Sequence, residues 1–259
     1  MVAVGDVAAL MERWAPAHLA EDGDNVGLLV GRASQMVDGI MVSLDVDEAA
    51  IARAKSMGIG LIVAHHPLVY SPLHAVTEAT PTGRLVLQAA EAGIAVYAAH
   101  TNLDRAAGGV NDKLCEAIGL HAAQAEQDSI ARVAELETPI SLNILAMGVK
   151  AALNVETVRM TGDRNSQVKR VYVISGSGKR DIKTAVRLGA DVMLTGELGY
   201  HDAQAALYSG LRVIEAGHYG SEYPILGEIE KHLQREFRRL KYKIRTVVYK
   251  QPSCPFWYV

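Results

Sequence analysis

The sequence predicts an α/β protein of two α/β domains, each built on a mainly parallel sheet. Short apolar segments rich in Val, Ile and Leu alternate with amphipathic segments of about ten residues, which is typical of βα units. The 259 residues suffice for two domains of ordinary size. A polar stretch, residues 121–137, interrupts the alternation near the middle of the chain.

The first half contains four predicted strands and four predicted helices. Asp47 is expected to cap the second helix, which ends at Gly58. The third predicted strand stops at His65 and His66, because the next residue, Pro67, cannot donate to a sheet ladder. The predicted strands are residues 26–30, 39–44, 60–64 and 94–99, and the predicted helices are residues 4–14, 48–57, 82–92 and 108–118.

The polar stretch is where we place the domain boundary, with residues 1–124 before it and residues 125–259 after it. Ser141 and Ser221 are expected to cap helices, with Glu222 in the first turn of the longer one. The prediction leaves open that the final strand packs back on the first domain. The predicted strands are residues 155–160, 170–174, 191–194, 211–216 and 244–249, and the helices are residues 141–152, 180–188, 201–208 and 221–240.

Composition excludes several classes of protein. No apolar run approaches the ~20 residues that cross a bilayer, and the N-terminus lacks the pattern of a secretory signal, so we expect a cytoplasmic protein. Two cysteines cannot build a disulfide framework or a thiolate zinc site. A formal net charge of -3 provides no global basic surface for nucleic acid, although it is compatible with a local basic patch. The basic residues 235–245 are interpreted as a solvated face.

Polar side chains follow four of the predicted strands. Ligands of parallel α/β sheets bind beyond the carboxyl ends of the strands, so these residues are the candidates for chemistry. Five of the nine histidines lie among them, whereas random placement would scatter them. The residues, in chain order, are His65 with His66, His100 with Asp104, Glu197 with His201, and His218 with Glu222.

This mixture of imidazoles and carboxylates suits two divalent metal ions. A hydrolytic two-metal site needs neutral imidazoles and at least one bridging carboxylate. Adjacent residues of an extended chain point to opposite sides, so His65 and His66 can each serve a different ion. Glu222 is the expected bridge. Taken singly, a helix-start Glu can instead compensate the helix dipole, and a His-His-Pro segment can be an ordinary buried or surface pair.

Residues 175–179 form a second, weaker motif. The sequence Ser-Gly-Ser-Gly-Lys lies between a predicted strand and a predicted helix, where backbone amides can cradle a phosphate. Its spacing differs from that of a Walker loop, so a tight turn is the favoured interpretation and a substrate-phosphate contact the alternative.

The chain resembles the GTP cyclohydrolase I type II homologues, a family also called Ngg-interacting-factor-like or dinuclear metal centre proteins. The matching segments occur in the family's order over nearly the whole chain. They are residues 24–28 (Asp-Asn-Val-Gly-Leu), 65–67 (His-His-Pro), 100–104 (His-Thr-Asn-Leu-Asp), 195–197 (Thr-Gly-Glu) with His201, and 215–222 (Glu-Ala-Gly-His-Tyr-Gly-Ser-Glu).

The resemblance implies that the two α/β domains are interlinked, and it also implies a ligand set, an assembly and a reaction. The implied metal ligands are His65, His66, Asp104, His218 and Glu222, with Glu222 shared by two divalent ions (zinc, iron or manganese). The resemblance also implies a homohexameric ring of dimers, in which His100, Glu197 and His201 orient ligands or transfer protons. The family name taken literally implies hydrolytic conversion of GTP to formate and dihydroneopterin triphosphate.

Two departures and two rival functions qualify these expectations. Gly23 stands where the family usually carries an aromatic residue, and the chain lacks the middle domain that longer members insert. The ligand set fits phosphoester or amide hydrolysis equally well. One rival is a non-catalytic metal-binding scaffold or regulator that interacts with protein or nucleic acid, and the other is a purely structural metal site.

Overall fold

The computed structural model describes residues 1–121, 123–127, 129–250 and 254–256. The strands are β1 Val2–Ala3, β2 Gly27–Val30, β3 Met36–Val37, β4 Gly39–Ser43, β5 Leu61–Ala64, β6 Ala95–Ala98, β7 Gln124–Ala125, β8 Arg132–Ser141, β9 Arg159–Thr161, β10 Gln167–Val173, β11 Val192–Thr195, β12 Arg212–Glu215 and β13 Arg245–Val248. The helices are α1 Val4–Trp14, α2 Glu48–Ser56, α3 Pro81–Glu91, α4 Thr101–Arg105, α5 Val110–Ala117, α6 Leu142–Leu153, α7 Ile182–Arg187, α8 Tyr200–Tyr208, α9 His218–Glu222 and α10 Pro224–Arg239.

The chain divides into two compact units. The first comprises residues 1–106 and 226–253, and the second comprises residues 107–225 and 254–259. The boundary predicted from the polar stretch, between residues 124 and 125, differs from these division points. The difference has a structural origin, because most of α10 and the whole of β13 belong to the first unit, where β13 pairs in parallel with β4.

The first unit contains a five-stranded sheet in the order β13-β4-β5-β6-β2. Strands β13, β4, β5 and β6 pair in parallel, and β2 pairs antiparallel with β6 at the edge of the sheet. Strands β4, β5 and β6 are completely buried, which explains their continuous apolar sequence. Because these strands run in the same direction, their carboxyl ends lie at one edge of the sheet.

Two side-chain caps begin the helices of the first unit at defined positions. Asp47 accepts a hydrogen bond from the Ala50 amide at 2.6 Å, as its predicted capping role requires. Thr80 accepts one from the Gly83 amide at 3.1 Å at the start of α3. These caps fix where α2 and α3 leave the loops at the carboxyl edge of the sheet.

The second unit contains a six-stranded sheet in the order β7-β8-β10-β11-β12-β9. The central strands β10, β11 and β12 pair in parallel, and antiparallel strands flank them on both sides. One apolar cluster lies beneath α5 and α6, and another lies beneath α7 and α8. Helices therefore cover both faces of the sheet, and the predicted α/β class with parallel-rich sheets is confirmed.

Several predicted elements differ from the observed ones. Strand β8 lies within and beyond the polar stretch, and the prediction missed it because an antiparallel strand with a solvated face does not need a continuous apolar sequence. The strand predicted at residues 155–160 is reduced to β9, because only residues 159–161 pair with β12. Among the described residues, no helix is both long and apolar enough to cross a membrane.

Candidate metal centre

The end of β5 positions the first two candidate ligands. The His65 amide donates to the Ser43 carbonyl at 3.1 Å, and the His66 amide donates to the Leu44 carbonyl at 2.8 Å. The backbone thus remains extended for two residues beyond the strand, until Pro67 ends the ladder. His65 is completely buried, whereas the His66 side chain is partly exposed. This pairing anchors both histidines to the sheet.

Three imidazole rings of the first unit are oriented through their Nδ1 atoms. His65 Nδ1 lies 2.8 Å from the Ala99 carbonyl oxygen, His66 Nδ1 lies 2.7 Å from Asp45 Oδ1, and His100 Nδ1 lies 2.9 Å from Asp24 Oδ1. A carbonyl or carboxylate oxygen only accepts, so Nδ1 carries the proton in each ring. Nε2 is then the nitrogen with a lone pair, which is the state a metal ligand needs.

The same three rings converge on one place. Their centroids are 5.0 Å apart for His65 and His66, 5.3 Å for His65 and His100, and 5.7 Å for His66 and His100. One ligand-type nitrogen from each ring lies within 4.8 Å of the other two, so this group can hold a metal ion. The structure therefore brings together His65, His66 and His100.

Asp104 joins this group from a short helix that the sequence analysis did not predict. Helix α4 begins directly after His100, and the Asp104 amide donates to the His100 carbonyl at 3.0 Å. The buried Asp104 carboxylate places Oδ1 3.6 Å from His65 Nε2. Asn102 fixes the helix, because its side-chain amide donates to the Ala15 carbonyl at 2.7 Å. His65, His66, His100 and Asp104 are called the first-unit cluster below.

Asp24 holds His100 and the start of α4 together. Its Oδ2 accepts hydrogen bonds from the Thr101 amide and hydroxyl, while Oδ1 faces His100 and accepts from the Asn25 amide at 2.8 Å. Burial alone would raise the pKa of the Asp24 carboxyl, but the hydrogen bonds to His100 and Thr101 outweigh burial and hold that pKa well below its usual range. Asp24 therefore stays ionised.

Asp24 and Asp45 are functional candidates that the sequence analysis did not assign. Asp24 lies in the Asp-Asn segment that carried the family resemblance, but its contact with His100 spans 76 positions of the sequence and no local pattern indicates it. Asp45 comes two residues after β4, so the search at strand ends had a signal for it. Carboxylates in this position fix the tautomer and orientation of a ligating imidazole.

In the second unit, α9 presents His218 and Glu222 on one face. The two residues are one helical turn apart, and His218 Nε2 lies 3.1 Å from Glu222 Oε1. His218 Nδ1 lies 3.3 Å from Glu197 Oε1. The Glu222 side chain is buried, whereas His218 and Glu197 are partly exposed. These three residues are called the second-unit cluster below.

The predicted capping of this segment is wrong. Ser221 was expected to begin a helix with Glu222 in its first turn, yet α9 already begins at His218 and Glu222 is its last residue. The Ser221 hydroxyl instead donates to the His218 carbonyl at 2.8 Å. Gly217, with φ 83°, permits the sharp turn from β12 that starts the helix earlier than predicted.

The glycine-rich turn after β10 packs against Glu222. Its amides are committed within the unit: those of Ser175, Gly176 and Gly178 donate to Asn111, Ser221 and Glu197, respectively. This pattern favours a tight turn over a phosphate cradle. A Cβ atom added at Gly176 would lie 2.6 Å from Glu222 Oε1 and 3.4 Å from His218 Nε2. The absence of a side chain at this position thus makes room for the carboxylate.

His201 is exposed at the start of α8, where its ring meets that of Tyr200 with centroids 5.3 Å apart. Its proposed part in proton transfer stays a prediction, as does that of Glu197.

The donor set of each cluster fits a divalent metal ion, because imidazole nitrogens and carboxylate oxygens are the ligands that zinc, iron and manganese accept. Neither cysteine contributes to this donor set.

Comparison with known proteins places the fold and the residues in context. The family model described as Duf34/NIF3 (NGG1p interacting factor 3) matches residues 2–255. A protein of Clostridium perfringens named GTP cyclohydrolase 1 type 2 homolog is 33% identical, over 99% of each chain. One of the same name from Lactococcus lactis is 36% identical, over 83% of this chain and 86% of its own.

A solved structure supports the same relationship at the level of the fold. The crystal structure of a Bacillus cereus protein related to NIF3 superposes with a TM-score of 0.93, covering 100% of this chain and 99% of the other at 24% identity. The similarity extends over the full length of the chain described here.

Replacement of Gly176 by alanine tests the packing around Glu222. We expect Gly176→Ala to weaken divalent-metal binding about 10-fold or more, because the new methyl group displaces the carboxylate. It should also lower the free energy of unfolding by about 1 kcal/mol or more, since φ at this position is +59°. Isothermal titration with Zn²⁺ or Mn²⁺ and chemical denaturation measure the two effects.

Gly148→Ala is the matched control for that experiment. Gly148 is exposed within α6, and no neighbouring atom lies within 4 Å of an added Cβ. Alanine there should leave metal affinity unchanged and stabilise the unit by about 0.5–1 kcal/mol. Equal metal affinities for wild type and Gly176→Ala would contradict the proposed packing role.

Proposed function

Because the chain belongs to the Duf34/NIF3 family, we propose that it is a hydrolase dependent on two divalent metal ions. This proposal rests on the orientation and convergence of the three imidazole rings in the first-unit cluster. Three imidazoles have Nδ1 bound to fixed acceptors, and their ligand-type nitrogens lie within 4.8 Å of one another. Structural histidines have no need of such convergence, whereas metal ligands do.

We assign five ligands to the dinuclear centre: His65, His66 and Asp104 from the first unit, and His218 and Glu222 from the second. Each unit contributes imidazole together with a buried carboxylate, so each brings both a neutral ligand and negative charge. Two divalent ions carry a charge that imidazoles alone would leave uncompensated. Glu222 is the proposed shared ligand, because carboxylates can bridge ions ~3.5–4 Å apart. The proposed ions are zinc, iron or manganese.

His100 could either ligate a metal ion or transfer protons, and we propose proton transfer. Asp24 binds Nδ1 of its ring, so Nδ1 keeps its proton, and the ring lies against those of His65 and His66. A ring held in this way can accept a proton at Nε2 without turning, and the ionised Asp24 stabilises the resulting imidazolium. Glu197, 3.3 Å from His218 Nδ1, orients that ring in the second unit.

The bound ions would supply Lewis acidity and lower the pKa of water near the electrophile. The name of the Clostridium perfringens relative suggests GTP as one substrate, whose guanine imidazole ring would be hydrolysed with release of formate. Phosphoesters and amides are alternatives with equally suitable electrophiles. The family resemblance further supports a homohexameric ring, which we propose with the activity, and we also propose a cytoplasmic location.

Metal analysis and activity assays on Glu222→Ala test this function. Wild type purified without chelators should contain close to two equivalents of divalent metal and hydrolyse GTP or a phosphoester from a panel. Glu222→Ala should lose at least one equivalent and at least about 100-fold in kcat/KM, because it removes the shared ligand. Elemental analysis by mass spectrometry and formate release provide the readouts.

Glu137→Ala serves as the control, because Glu137 is exposed on β8 and belongs to neither cluster. It should match wild type in metal content and turnover. The hydrolase proposal fails if wild type and Glu222→Ala contain the same metal and have the same activity. A metal-loaded wild type that hydrolyses none of these compounds, and unfolds when stripped, would favour a structural metal site.

A positively charged segment near the C-terminus favours a second candidate function, that of a scaffold or regulator that binds nucleic acid. Residues 231–250 contain eight Lys or Arg and one Glu, a formal charge of +7 in a chain whose net charge is -3. Most of these cations are exposed on α10 and β13. Such a patch suits a polyanion, although cations on an edge strand also discourage sheet-to-sheet aggregation.

Salt-dependent binding of oligonucleotides distinguishes these roles. If the basic segment binds nucleic acid, affinity for a fluorescent oligonucleotide should fall about 10-fold or more between 50 and 200 mM NaCl, since phosphate contacts release counterions. Arg238→Glu combined with Lys241→Glu should abolish that binding without altering metal content. Absence of detectable binding at low salt would remove this function.

A further inference from the structure

The segment after His66 carries an exposed aromatic ring beside the first-unit cluster. The Tyr70 side chain is 57% exposed, and its ring lies perpendicular to that of His100 with centroids 6.2 Å apart. The distance and angle are those of an edge-to-face aromatic contact. Tyr70 therefore stands next to the His100 ring while presenting most of its surface to solvent.

The position of Tyr70 is fixed by the same turn that orients His100. The Asn25 side-chain amide donates to the Val69 carbonyl, and the Asn25 backbone amide donates to Asp24 Oδ1. Asp24 in turn binds His100. One two-residue turn thus sets both the imidazole and the backbone immediately before Tyr70.

Packing supports the same segment from the other side. Leu68 packs against the apolar core of the first unit, and Pro67 restricts the backbone that leaves β5. The chain is anchored at Leu68 and at Val69, so the exposure of Tyr70 does not come from an unsupported loop end. Tyr70 thus presents a supported, solvent-exposed ring beside the first-unit cluster, where a ligand bound at that cluster would meet it.

From this geometry we propose that Tyr70 is a stacking platform for a planar heteroaromatic ring in the substrate, and so a specificity-determining residue of the site. The inference rests on the proposed metal-dependent function and narrows its substrate class. Flat heterocycles stack on tyrosine irrespective of their hydrogen-bonding edges, whereas a phosphosugar without a base gains nothing from the ring. Phosphoesters that lack an aromatic group are then poor ligands.

Binding of two probes to the full-length, Mn²⁺-loaded protein tests this proposal. Guanosine provides a heterocycle without phosphate, and ribose 5-phosphate provides phosphate without a heterocycle. By isothermal titration, Tyr70→Leu should bind guanosine about 10-fold more weakly than wild type, and Tyr70→Phe should retain wild-type affinity. Affinity for ribose 5-phosphate should be the same in all three proteins.

Tyr208→Leu is the matched control, because Tyr208 is 79% exposed on α8 of the second unit. It should leave guanosine binding unchanged. The proposal is overturned if wild type does not bind guanosine, if Tyr70→Leu binds it as well as wild type does, or if Tyr208→Leu loses as much affinity. Manganese content, measured in parallel, should be equal in all variants, which separates failure of this inference from failure of the metal-centre assignment.

Discussion

Three hydrogen bonds from imidazole Nδ1 atoms determine what the first-unit cluster can do. Each bond ends on an acceptor that cannot donate, one backbone carbonyl and two carboxylates, so the proton is confined to Nδ1 and the lone pair to Nε2. The rings cannot rotate without breaking these bonds. Without that constraint the three histidines would be ordinary side chains near a sheet edge, able to titrate and turn independently.

The fold supplies the acceptors from neighbouring strand ends. Ala99 follows β6, Asp45 follows β4, and the histidines that they orient follow β5 between them. Parallel pairing is therefore what makes the arrangement possible, because it brings three consecutive carboxyl ends to one edge. In the second unit the corresponding constraint is steric, since a side chain at position 176 would collide with the Glu222 carboxylate.

Local sequence patterns were sufficient for the strand ends and for most of the elements around them. His65 and His66 could be placed because Pro67 marks the end of a buried strand, and Asp47 was recognisable as a cap. The partner of His100 was not recognisable, because Asp24 and His100 are 76 positions apart and meet only through the tertiary fold. Helices α4 and α9 were missed for a related reason: five residues are too few for a helical period to appear.

The role of the glycine-rich turn also lay outside sequence reasoning. The spacing of its Ser-Gly-Ser-Gly-Lys sequence already favoured a tight turn, but only the tertiary structure shows that Gly176 packs against Glu222. Likewise, the segments of the first unit are separated in sequence, and an apolar pattern carries no information on which sheet β13 joins. The apolar pattern predicts individual strands and helices, but strand pairing decides which unit a strand joins.

Anomalous X-ray scattering from crystals grown with Mn²⁺ or Zn²⁺ tests the central claim most directly. The account predicts two peaks ~3.5–4 Å apart, with His65 and His66 bound through Nε2 while their Nδ1 contacts persist, and with Glu222 touching both ions. Ions bound through Nδ1, or peaks found only at surface carboxylates, would contradict it.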